Sequence, residues 1–395
     1  MGDPWLTIIG LGEDGLAGLT DASRDALARA EVVFGGPRHL AMAGVGARGR
    51  AWPVPFDVGA VLAKKGSDVA VLASGDPFWH GAGGSLAAHL NPGEWRCFPG
   101  VSTFSRAAAR LGWRIEDVAC LGLHAAPFSR LLPHLAAGSR AICLLRDGVA
   151  VAGLADWLVL HGQSEAQLWV MEAMGGPAER VRKIRAGGAG LPDIGALVTV
   201  AVEPVGAATT GLPMTPGLPD ASFAHDGQIT KSPIRALTLA ALAPRPGEVL
   251  WDIGAGSGSV SVEWCRAGGH AVAVEAREDR AANVRANIAA FGLAGQMTVV
   301  EGSAPDALAG LAAPDAIFVG GGVNQGLLQE LWGKLPIHGR MVCNGVTLET
   351  EALLAEWHTT KGGSLMRIDI AQAAPLGRMR GWAASRPVVQ WSVLK

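Results

Sequence analysis

The sequence contains no tyrosine, little charge and no long uninterrupted apolar run. Charged residues make up 17% of its 395 residues and the formal net charge is −2, so bulk electrostatic attraction to nucleic acid is not expected. The most apolar long segment, residues 141–160, is interrupted by Arg146, Asp147 and Asp156. Because a membrane span needs about 20 consecutive apolar residues, no membrane association is predicted.

Cysteine is also scarce, and its spacing excludes several kinds of site. The chain has five cysteines and no Cys-x-x-Cys pair, which argues against a zinc site and for a reducing compartment. Its first residues enter a strand directly, without the basic and apolar regions of an export signal. We therefore predict no metal site and a cytoplasmic location. The cysteines, which we expect in the core, are Cys97, Cys120, Cys143, Cys265 and Cys343.

The length and one proline-rich segment predict the domain organisation. A chain of 395 residues is expected to form two or three domains. Residues 206–220 read GAATTGLPMTPGLPD, a small, proline-rich stretch without hydrophobic periodicity, as is typical of linkers. We place a first domain at residues 1–205, a linker at 206–222 and a second domain at 223–395.

The stretch VLWDIGAGSGS, residues 249–259, carries the clearest functional signal. It joins an apolar strand to three closely spaced glycines, whose bare backbone can approach a ligand before the next helix starts. Asp252 stands two residues before the first glycine, where a carboxylate near a pyrophosphate would cost on the order of 1–4 kcal/mol. A cationic ligand such as S-adenosylmethionine is therefore favoured. The alternative is a glycine-rich turn with a capping aspartate.

Strands and helices alternate through the second domain, which predicts a doubly wound α/β sheet of parallel strands. The strand after the glycine turn, HAVAV at residues 270–274, ends at Glu275, which is placed to accept hydrogen bonds from two ribose hydroxyls. Ligands bind at the carboxyl ends of strands in such sheets. We expect Asp252, the glycine turn, Glu275, residues 302–304 and residues 320–322 in one crevice.

The first domain begins with a strand at residues 5–10 and a helix at 21–30 that Thr20 can cap. The glycines at positions 10, 12 and 15 match the G-x-G-x-x-G dinucleotide pattern. Five residues separate the last of these glycines from the helix, so the helix N-terminus is not placed for a pyrophosphate. We do not predict NAD binding here.

Three segments of the first domain, taken in order, carry a resemblance to a known family. IIGLGEDGLAGLT, SGDPFWHG and PGVST together resemble the tetrapyrrole methylases, specifically the CbiE type. The resemblance implies two α/β lobes, split near residue 117, with S-adenosylmethionine bound between them. It places Gly75, Asp76, Ser102 and Thr103 on this cofactor. His124 stands in the string Gly-Leu-His-Ala-Ala, where the family commonly has Ser-Leu-His-Gly-Arg.

The second domain resembles the CbiT-type methyltransferases over nearly all of residues 223–350. The segments that carry this resemblance are FAHDGQITKSPIRALTLAAL, WDIGAGSGSVSVEW, EGSAPDAL, PDAIFVGGG and NGVTLET. A CbiE-like half fused to a CbiT-like half is the layout of the CobL-type precorrin-6B methyltransferases. The resemblance implies methylation of carbons 5 and 15 of the corrin precursor, loss of carbon dioxide from an acetate side chain to give precorrin-8, and one S-adenosylmethionine site in each half.

Carried over residue by residue, the resemblance gives the cofactor-binding set of the second domain. Thr230 would close the site at the methionine end of S-adenosylmethionine. Its alternative role is only to cap the following helix. Ser303 has the same alternative for the helix after Pro305. The set consists of Thr230, Asp252, Gly254, Ala255, Gly256, Ser257, Gly258, Glu275, Ser303 and Ala304.

The substrate of such an enzyme carries many carboxylates, so arginine and lysine are expected to anchor it. Lys231, Arg378 and Arg380 are candidates for this role, as is His124. Arg235 and Arg386 could add to them, and the alternative for each is an ordinary solvated side chain. The predicted partner is a small-molecule corrin precursor, with no nucleic acid and no membrane, and we expect a homo-oligomer.

Two other functions compete with this interpretation. In the first, only the second domain is catalytic, and the first is a binding or scaffolding module. In the second, the chain methylates nucleic acid, but the charge balance disfavours this, as does the absence of an Asn-Pro-Pro-aromatic string or a nucleophilic cysteine where Gly320, Gly321 and Gly322 stand.

Overall fold

The computed structural model describes residues 4–206 and 211–395. The chain divides after Gly211 into two compact units, which are described separately. Strands are numbered β1–β19 and helices α1–α11 in chain order.

The first lobe of the first unit is built on a parallel sheet with strand order β3-β2-β4-β1-β5. Its strands are β1 (Leu6–Leu11), β2 (Val32–Gly35), β3 (Gly49–Ala51), β4 (Val69–Ser74) and β5 (Trp95–Phe98). Its helices are α1 (Asp21–Arg29), α2 (Pro37–Met42), α3 (Gly59–Leu62), α4 (Ala82–Ala87) and α5 (Thr103–Leu111). All six residues of β1 are buried, as is expected of a parallel strand covered on both faces.

The second lobe has a mixed sheet with strand order β6-β7-β10-β8-β9, in which only β6 and β7 are parallel. Its elements are β6 (Ala119–Gly122), β7 (Ala141–Leu144), α6 (Val149–Leu160), β8 (Gln167–Glu172), β9 (Arg180–Arg185) and β10 (Val198–Glu203). Phe104, Ala107 and Ala108 of α5 pack against Ile142 and Met171 of this sheet. Helix α5 therefore joins the two lobes.

The second unit has a seven-stranded sheet with order β13-β12-β11-β14-β15-β19-β16. The strands from β11 to β15 are parallel, while β19 is antiparallel to both β15 and β16. The strands are β11 (Val249–Ile253), β12 (His270–Glu275), β13 (Met297–Glu301), β14 (Ala316–Val319), β15 (Arg340–Gly345), β16 (Ser364–Ile368) and β19 (Val388–Leu394). The helices are α7 (Ser232–Leu242), α8 (Ser259–Arg266), α9 (Glu278–Ala290), α10 (Gln325–Lys334) and α11 (Leu348–Lys361). A separate antiparallel hairpin is formed by β17 (Ala371–Leu376) and β18 (Met379–Ala384).

Both faces of this sheet are covered by apolar packing. Leu250 of β11 lies in the cluster on one face, while Trp251 and Ile253 lie in the cluster on the other. Residues alternate between the two faces because successive side chains of a strand point in opposite directions. The strand order changes direction between β11 and β14, and this is where doubly wound sheets bind ligands.

Most predicted elements are confirmed. The predicted helix at residues 21–30 corresponds to α1, and Thr20 caps it by accepting the Ser23 N–H at 3.3 Å. The α/β class with a two-lobed first half and a doubly wound second half is also confirmed. The antiparallel strands after residue 360 were not predicted. Cys143, Cys265 and Cys343 are buried, as expected, whereas Cys97 and Cys120 are half-buried.

The predicted linker at 206–222 remains a prediction, and its residues 207–210 lie outside the described part of the chain. Within the described part of it, Leu218 is fully buried in the second unit, whereas Met214 is 99% exposed. Among the described residues, no helix combines the length and apolarity needed to cross a membrane.

Candidate functional site

The glycine turn of the second unit connects β11 to α8 in a left-handed path. Gly254, Gly256 and Gly258 have φ values of 69°, 60° and 69°, a region that favours glycine. The N–H groups of Gly254 and Ala255 donate to the Val274 carbonyl at 2.9 and 3.1 Å, which fixes the turn to the end of β12. The turn is a compact backbone cradle at the switch point of the sheet.

Glu275 ends β12 beside this turn and is 5% exposed. Its Oε2 accepts the Gly256 N–H at 2.8 Å, and its Oε1 accepts the Arg277 N–H at 3.0 Å. A carboxylate oxygen can accept more than one hydrogen bond. Glu275 can therefore hold the turn in place and still accept hydroxyl groups from a ribose.

Asp252 does not face a ligand in the way the sequence argument assumed. Its carboxylate is buried beneath the turn, where Oδ2 accepts the Ser261 hydroxyl at 2.7 Å. Its Oδ1 has no hydrogen-bond partner among the described residues. Burial, with a smaller contribution from the charge of Glu275, raises the pKa of Asp252 to about 6. The residue lies in the predicted crevice, but the electrostatic argument for a cationic ligand loses its exposed carboxylate.

Thr230 and Lys231 precede α7, close to the glycine turn. The capping alternative for Thr230 is wrong, because the N-cap residue is Lys231 and its side chain makes no capping bond. The carboxylate of Asp220 accepts the Ser232 N–H at 2.9 Å instead, and it also pairs with Lys231 at 3.4 Å. Arg235 is fully buried on Glu263 at 2.6 Å, so it is not available to anchor a substrate.

Residues 302–304 follow β13 at the same edge of the sheet. The Gly302 N–H donates to the Glu275 carbonyl at 3.0 Å, which brings this loop to the glycine turn. Ser303 is exposed, and the short 3-10 helix Asp306–Leu308 receives no side-chain cap, so the capping alternative for Ser303 is wrong. Ala304 packs on the apolar cluster of the sheet. Gly321 lies on the other side, its carbonyl 3.4 Å from where a Cβ on Gly254 would stand.

Arg378 and Arg380 lie on the β17–β18 hairpin. Arg378 is in the turn of the β17–β18 hairpin and Arg380 is on β18, and both are exposed. The hairpin forms its own two-stranded sheet. A role for these arginines as substrate anchors remains a prediction.

The first unit encloses a cavity of about 450 Å³ between its two lobes. The five residues predicted for this half all line it: Gly75, Asp76, Ser102, Thr103 and His124. Gly10 lies beneath the floor, since a Cβ there would stand 1.9 Å from the Gly75 carbonyl oxygen. The Asp76 carboxylate accepts the Phe78 N–H at 2.9 Å, and the Ser102 hydroxyl caps α5 on the Ser105 N–H at 3.0 Å.

Apart from His124, sequence reasoning missed the basic side chains of this cavity. Arg38 pairs with Glu13, and Arg106 pairs with Asp14 at 2.7 Å. Burial, with the charge of Arg38 adding to it, lowers the pKa of His39 to about 4. Arg38 and His39 follow the carboxyl end of β2, so the rule that ligands bind at strand ends could have found them. Further basic residues of the lining are His80 and Arg146.

The G-x-G-x-x-G pattern of the first unit is separated from the following α-helix, as predicted. A 3-10 helix, Gly15–Gly18, begins at its last glycine, and α1 begins only at Asp21. The close approach of Gly10 to Gly75 accounts for the first glycine by packing.

Both units fit S-adenosylmethionine by their own geometry. The second unit offers a glycine turn whose backbone a ligand can approach closely and an acidic acceptor on the adjacent strand, which suit an adenosine ribose. The cavity of the first unit, about 450 Å³, lies within the range of about 300–1,000 Å³ typical of small-molecule pockets.

Comparison with known proteins gives matches to both halves and to the whole chain. A family described as tetrapyrrole (corrin/porphyrin) methylases matches residues 5–189, and a precorrin methyltransferase domain matches residues 221–395. A precorrin-6Y C(5,15)-methyltransferase (decarboxylating) from Sinorhizobium sp is 47% identical over 99% of this chain and 97% of its own length. A protein of the same name from Mycobacterium tuberculosis is 44% identical over 99% of this chain and 100% of its own. The crystal structure of the C-terminal domain of a precorrin-6Y C5,15-methyltransferase from Rhodobacter capsulatus is 60% identical, covers 47% of this chain and 100% of its own, and has a TM-score of 0.46.

Proposed function

The chain belongs to the family of decarboxylating precorrin-6Y C(5,15)-methyltransferases, and from that premise we propose that it is a bifunctional S-adenosylmethionine-dependent enzyme of cobalamin biosynthesis. It would methylate carbons 5 and 15 of the precorrin-6 macrocycle and remove carbon dioxide from an acetate side chain, giving precorrin-8. The observation that carries this proposal is the match to family members over 99% of the chain. Both halves of the enzyme are therefore present in one polypeptide.

Each unit would hold one cofactor. S-adenosylmethionine, when bound, supplies a methyl group on a positively charged sulfur. In the second unit, the close-lying backbone of the glycine turn would pack against it, and Glu275 would accept its ribose hydroxyls. In the first unit, the loops after β4 and β5 would hold it, with Gly75 and Ser102 on the cavity wall.

The protein promotes methyl transfer by aligning the ring carbon with the methyl group of the cofactor. In-line displacement needs the ring carbon and the methyl group held in near-attack geometry, and this depends on positioning more than on an acid or a base. Arg146 and His124 are exposed in the cavity of the first unit and could bind the carboxylates of the macrocycle. Decarboxylation needs the ring to accept an electron pair and a proton to follow, and the chain has no tyrosine to donate that proton.

The full-length chain, incubated with precorrin-6Y and S-adenosylmethionine, tests the proposal by product mass. The wild type should add two methyl groups and lose one carbon dioxide, and calorimetry should find two equivalents of S-adenosylmethionine. Gly10→Ala and Gly256→Ala should each abolish a different methyl transfer, because the first crowds the Gly75 carbonyl and the second strains the glycine turn.

Gly247→Ala is the matched control, since Gly247 also has a positive φ, of 82°, but a Cβ there meets nothing within 4 Å. It should lower stability without removing either methyl transfer. Retention of both methyl transfers in Gly10→Ala would favour the alternative in which the first half only binds or scaffolds. A product without added methyl groups would contradict the whole proposal.

We also propose a homo-oligomeric, cytoplasmic protein that binds no nucleic acid. The β17–β18 hairpin supports association, because Leu376 and Met379, which are paired on one face of it, are 69% and 76% exposed, and Trp382 on the other face is 79% exposed. Exposed apolar side chains that lie together often mark interaction surfaces. Light scattering tests it, and a monomer at micromolar concentration would refute it. Binding of a non-specific RNA with steep salt dependence would refute the exclusion of nucleic acid.

A further inference from the structure

A strap of nine residues, 223–231, runs past the glycine turn of the second unit before α7 begins. Its sequence is FAHDGQITK, and it carries the proposed cofactor ligand Thr230. Phe223 at its start is buried and stacks on Phe291, with ring centroids 5.3 Å apart. Asp226 and Gln228 in its middle are exposed residues, although the Asp226 side chain itself is half-buried. The strap is therefore anchored at its beginning and open to solvent in its centre.

One buried carboxamide joins the start of the strap to the glycine turn. Asn287 of α9 is 1% exposed. Its Oδ1 accepts the Ala224 N–H at 2.8 Å, and its Nδ2 donates to the Ala224 carbonyl at 3.0 Å. The same Nδ2 donates to the carbonyl of Ser257, inside the glycine turn, at 2.8 Å. Asn287 thus bonds both segments at once.

The middle of the strap lies directly on the turn. The Gln228 carbonyl oxygen is 3.6 Å from where a Cβ on Gly256 would stand. Asp226 accepts the Gln228 N–H at 2.9 Å and pairs with Arg280 of α9, also at 2.9 Å. Helix α9 therefore holds the strap at a second point, seven residues before Asn287.

The end of the strap is held by a buried cation. Arg235 donates to the Thr230 carbonyl, and its charge is matched by Glu263 at 2.6 Å. Glu263 in turn accepts the N–H groups of Gly217 and Leu218 at 2.6 and 2.9 Å. The backbone of Thr230 is thereby set by side chains that are buried and fully paired.

We propose that Asn287 is a positioning residue of the S-adenosylmethionine site in the second unit, because it sets the register of the strap on the glycine turn. This inference rests on the proposed function. Loss of the carboxamide would free the start of the strap from Ser257, so that Thr230 and the Gln228 carbonyl no longer lie at a fixed distance from the turn. Asn287 itself would touch neither cofactor nor substrate.

Asn287→Asp is the sharpest variant, since it keeps the volume and the acceptor for the Ala224 N–H. It replaces the two N–H donors with an oxygen that faces the carbonyls of Ala224 and Ser257. Calorimetry on the full-length variant should find one of the two equivalents of S-adenosylmethionine bound about tenfold more weakly, equal to about 1.4 kcal/mol, and the other unchanged. The KM for S-adenosylmethionine of one methyl transfer should rise by the same factor.

Gln296→Ala is the matched control for lost stability. The Gln296 carboxamide also donates to two carbonyls, those of Cys265 and Gly269, each at 3.4 Å, but it lies at the amino ends of β12 and β13. It should lower the melting temperature without changing either affinity. If Asn287→Asp likewise lowers only the melting temperature, or lowers only kcat, the proposal is overturned.

If Asn287→Asp fails to fold, Arg280→Gln is the substitute variant, because the ion pair between Arg280 and Asp226 lies at the surface. It should weaken the same equivalent by about two- to threefold, the size expected for a partly exposed ion pair. Lys334→Gln, which removes an ion pair with Glu330 at the end of α10, should change neither affinity, and equal effects of the two variants would overturn the proposal. If the wild type binds only one equivalent of S-adenosylmethionine, the proposal of two cofactor sites is contradicted. The effect of Asn287→Asp on the affinity for that one equivalent would still decide the role of Asn287.

Discussion

Replacement of Asp252 by asparagine should change how the stability of the second unit depends on pH. The carboxylate is 1% exposed and accepts one hydrogen bond, from the Ser261 hydroxyl. Burial is the main reason that its pKa is raised to about 6, from an ordinary 3.8. The folded protein therefore keeps a proton that the unfolded chain releases over this range.

The sign of the effect follows from proton linkage. Below about pH 4 Asp252 is protonated in both the folded and the unfolded state, so its raised pKa does not lower the free energy of unfolding. Between pH 4 and 6 the unfolded chain ionises first, so the free energy of unfolding falls as the pH rises, and above pH 6 the loss is constant. The interval from 3.8 to about 6 corresponds to about 3 kcal/mol.

Urea unfolding of wild type and Asp252→Asn, followed by tryptophan fluorescence at several pH values, measures this term. Between about pH 4 and pH 8, the free energy of unfolding of the variant should rise by about 3 kcal/mol relative to that of wild type. Any effect of the asparagine amide on stability that is the same at every pH cancels when the differences between variant and wild type at two pH values are compared. Asp306→Asn, which removes an exposed carboxylate from the same unit, is the control and should follow wild type. Parallel curves for wild type and Asp252→Asn would refute the reasoning.

Three further substitutions test other parts of the structure. Arg235→Leu leaves the carboxylate of Glu263 buried and unpaired, so the second unit should lose about 3–5 kcal/mol in urea unfolding, and an unchanged midpoint would contradict the buried pair. Arg106→Ala releases Asp14 beside the cavity of the first unit and should weaken one S-adenosylmethionine equivalent about five- to tenfold in calorimetry, with no effect on the other. Trp382→Ala should change the unfolding free energy by less than about 0.5 kcal/mol, because the ring is 79% exposed, but should lower the mass measured by light scattering if the hairpin forms an interface.

The parts of the fold that sequence reasoning found are those with local causes. Strand β11 begins at Val249, the first residue of the stretch predicted to contain it, because an apolar run followed by glycines marks a parallel strand and its turn. Helix α1 begins at its predicted residue because Thr20 provides a cap. The family resemblance is confirmed by the matches over the whole chain.

The parts that it missed depend on contacts distant in sequence. Strand β9, RVRKIR, looks like a solvated basic segment, but it pairs with β8, where Arg180 and Arg182 meet Glu172. Strand β19 inserts between β15 and β16, an order that no local pattern encodes. Arg235 was predicted as a further substrate anchor, with a solvated side chain as the alternative, but it is fully buried on Glu263, 28 residues later in the chain.

The two glycine-rich segments of the chain show why a glycine pattern in the sequence does not by itself define a cofactor site. In the second unit, Gly256 is required by its backbone, since its φ is 60° and its N–H is bonded to Glu275. In the first unit, Gly10 lies within a strand and is required by packing, since a Cβ would stand 1.9 Å from the Gly75 carbonyl and 2.3 Å from the Gly100 nitrogen. The first kind of glycine shapes a turn at the start of a helix, and the second lets three strand ends meet beneath a cavity. Two sites for one cofactor can therefore arise from glycine by different physical means, and the distance from the last glycine to the next helix tells them apart.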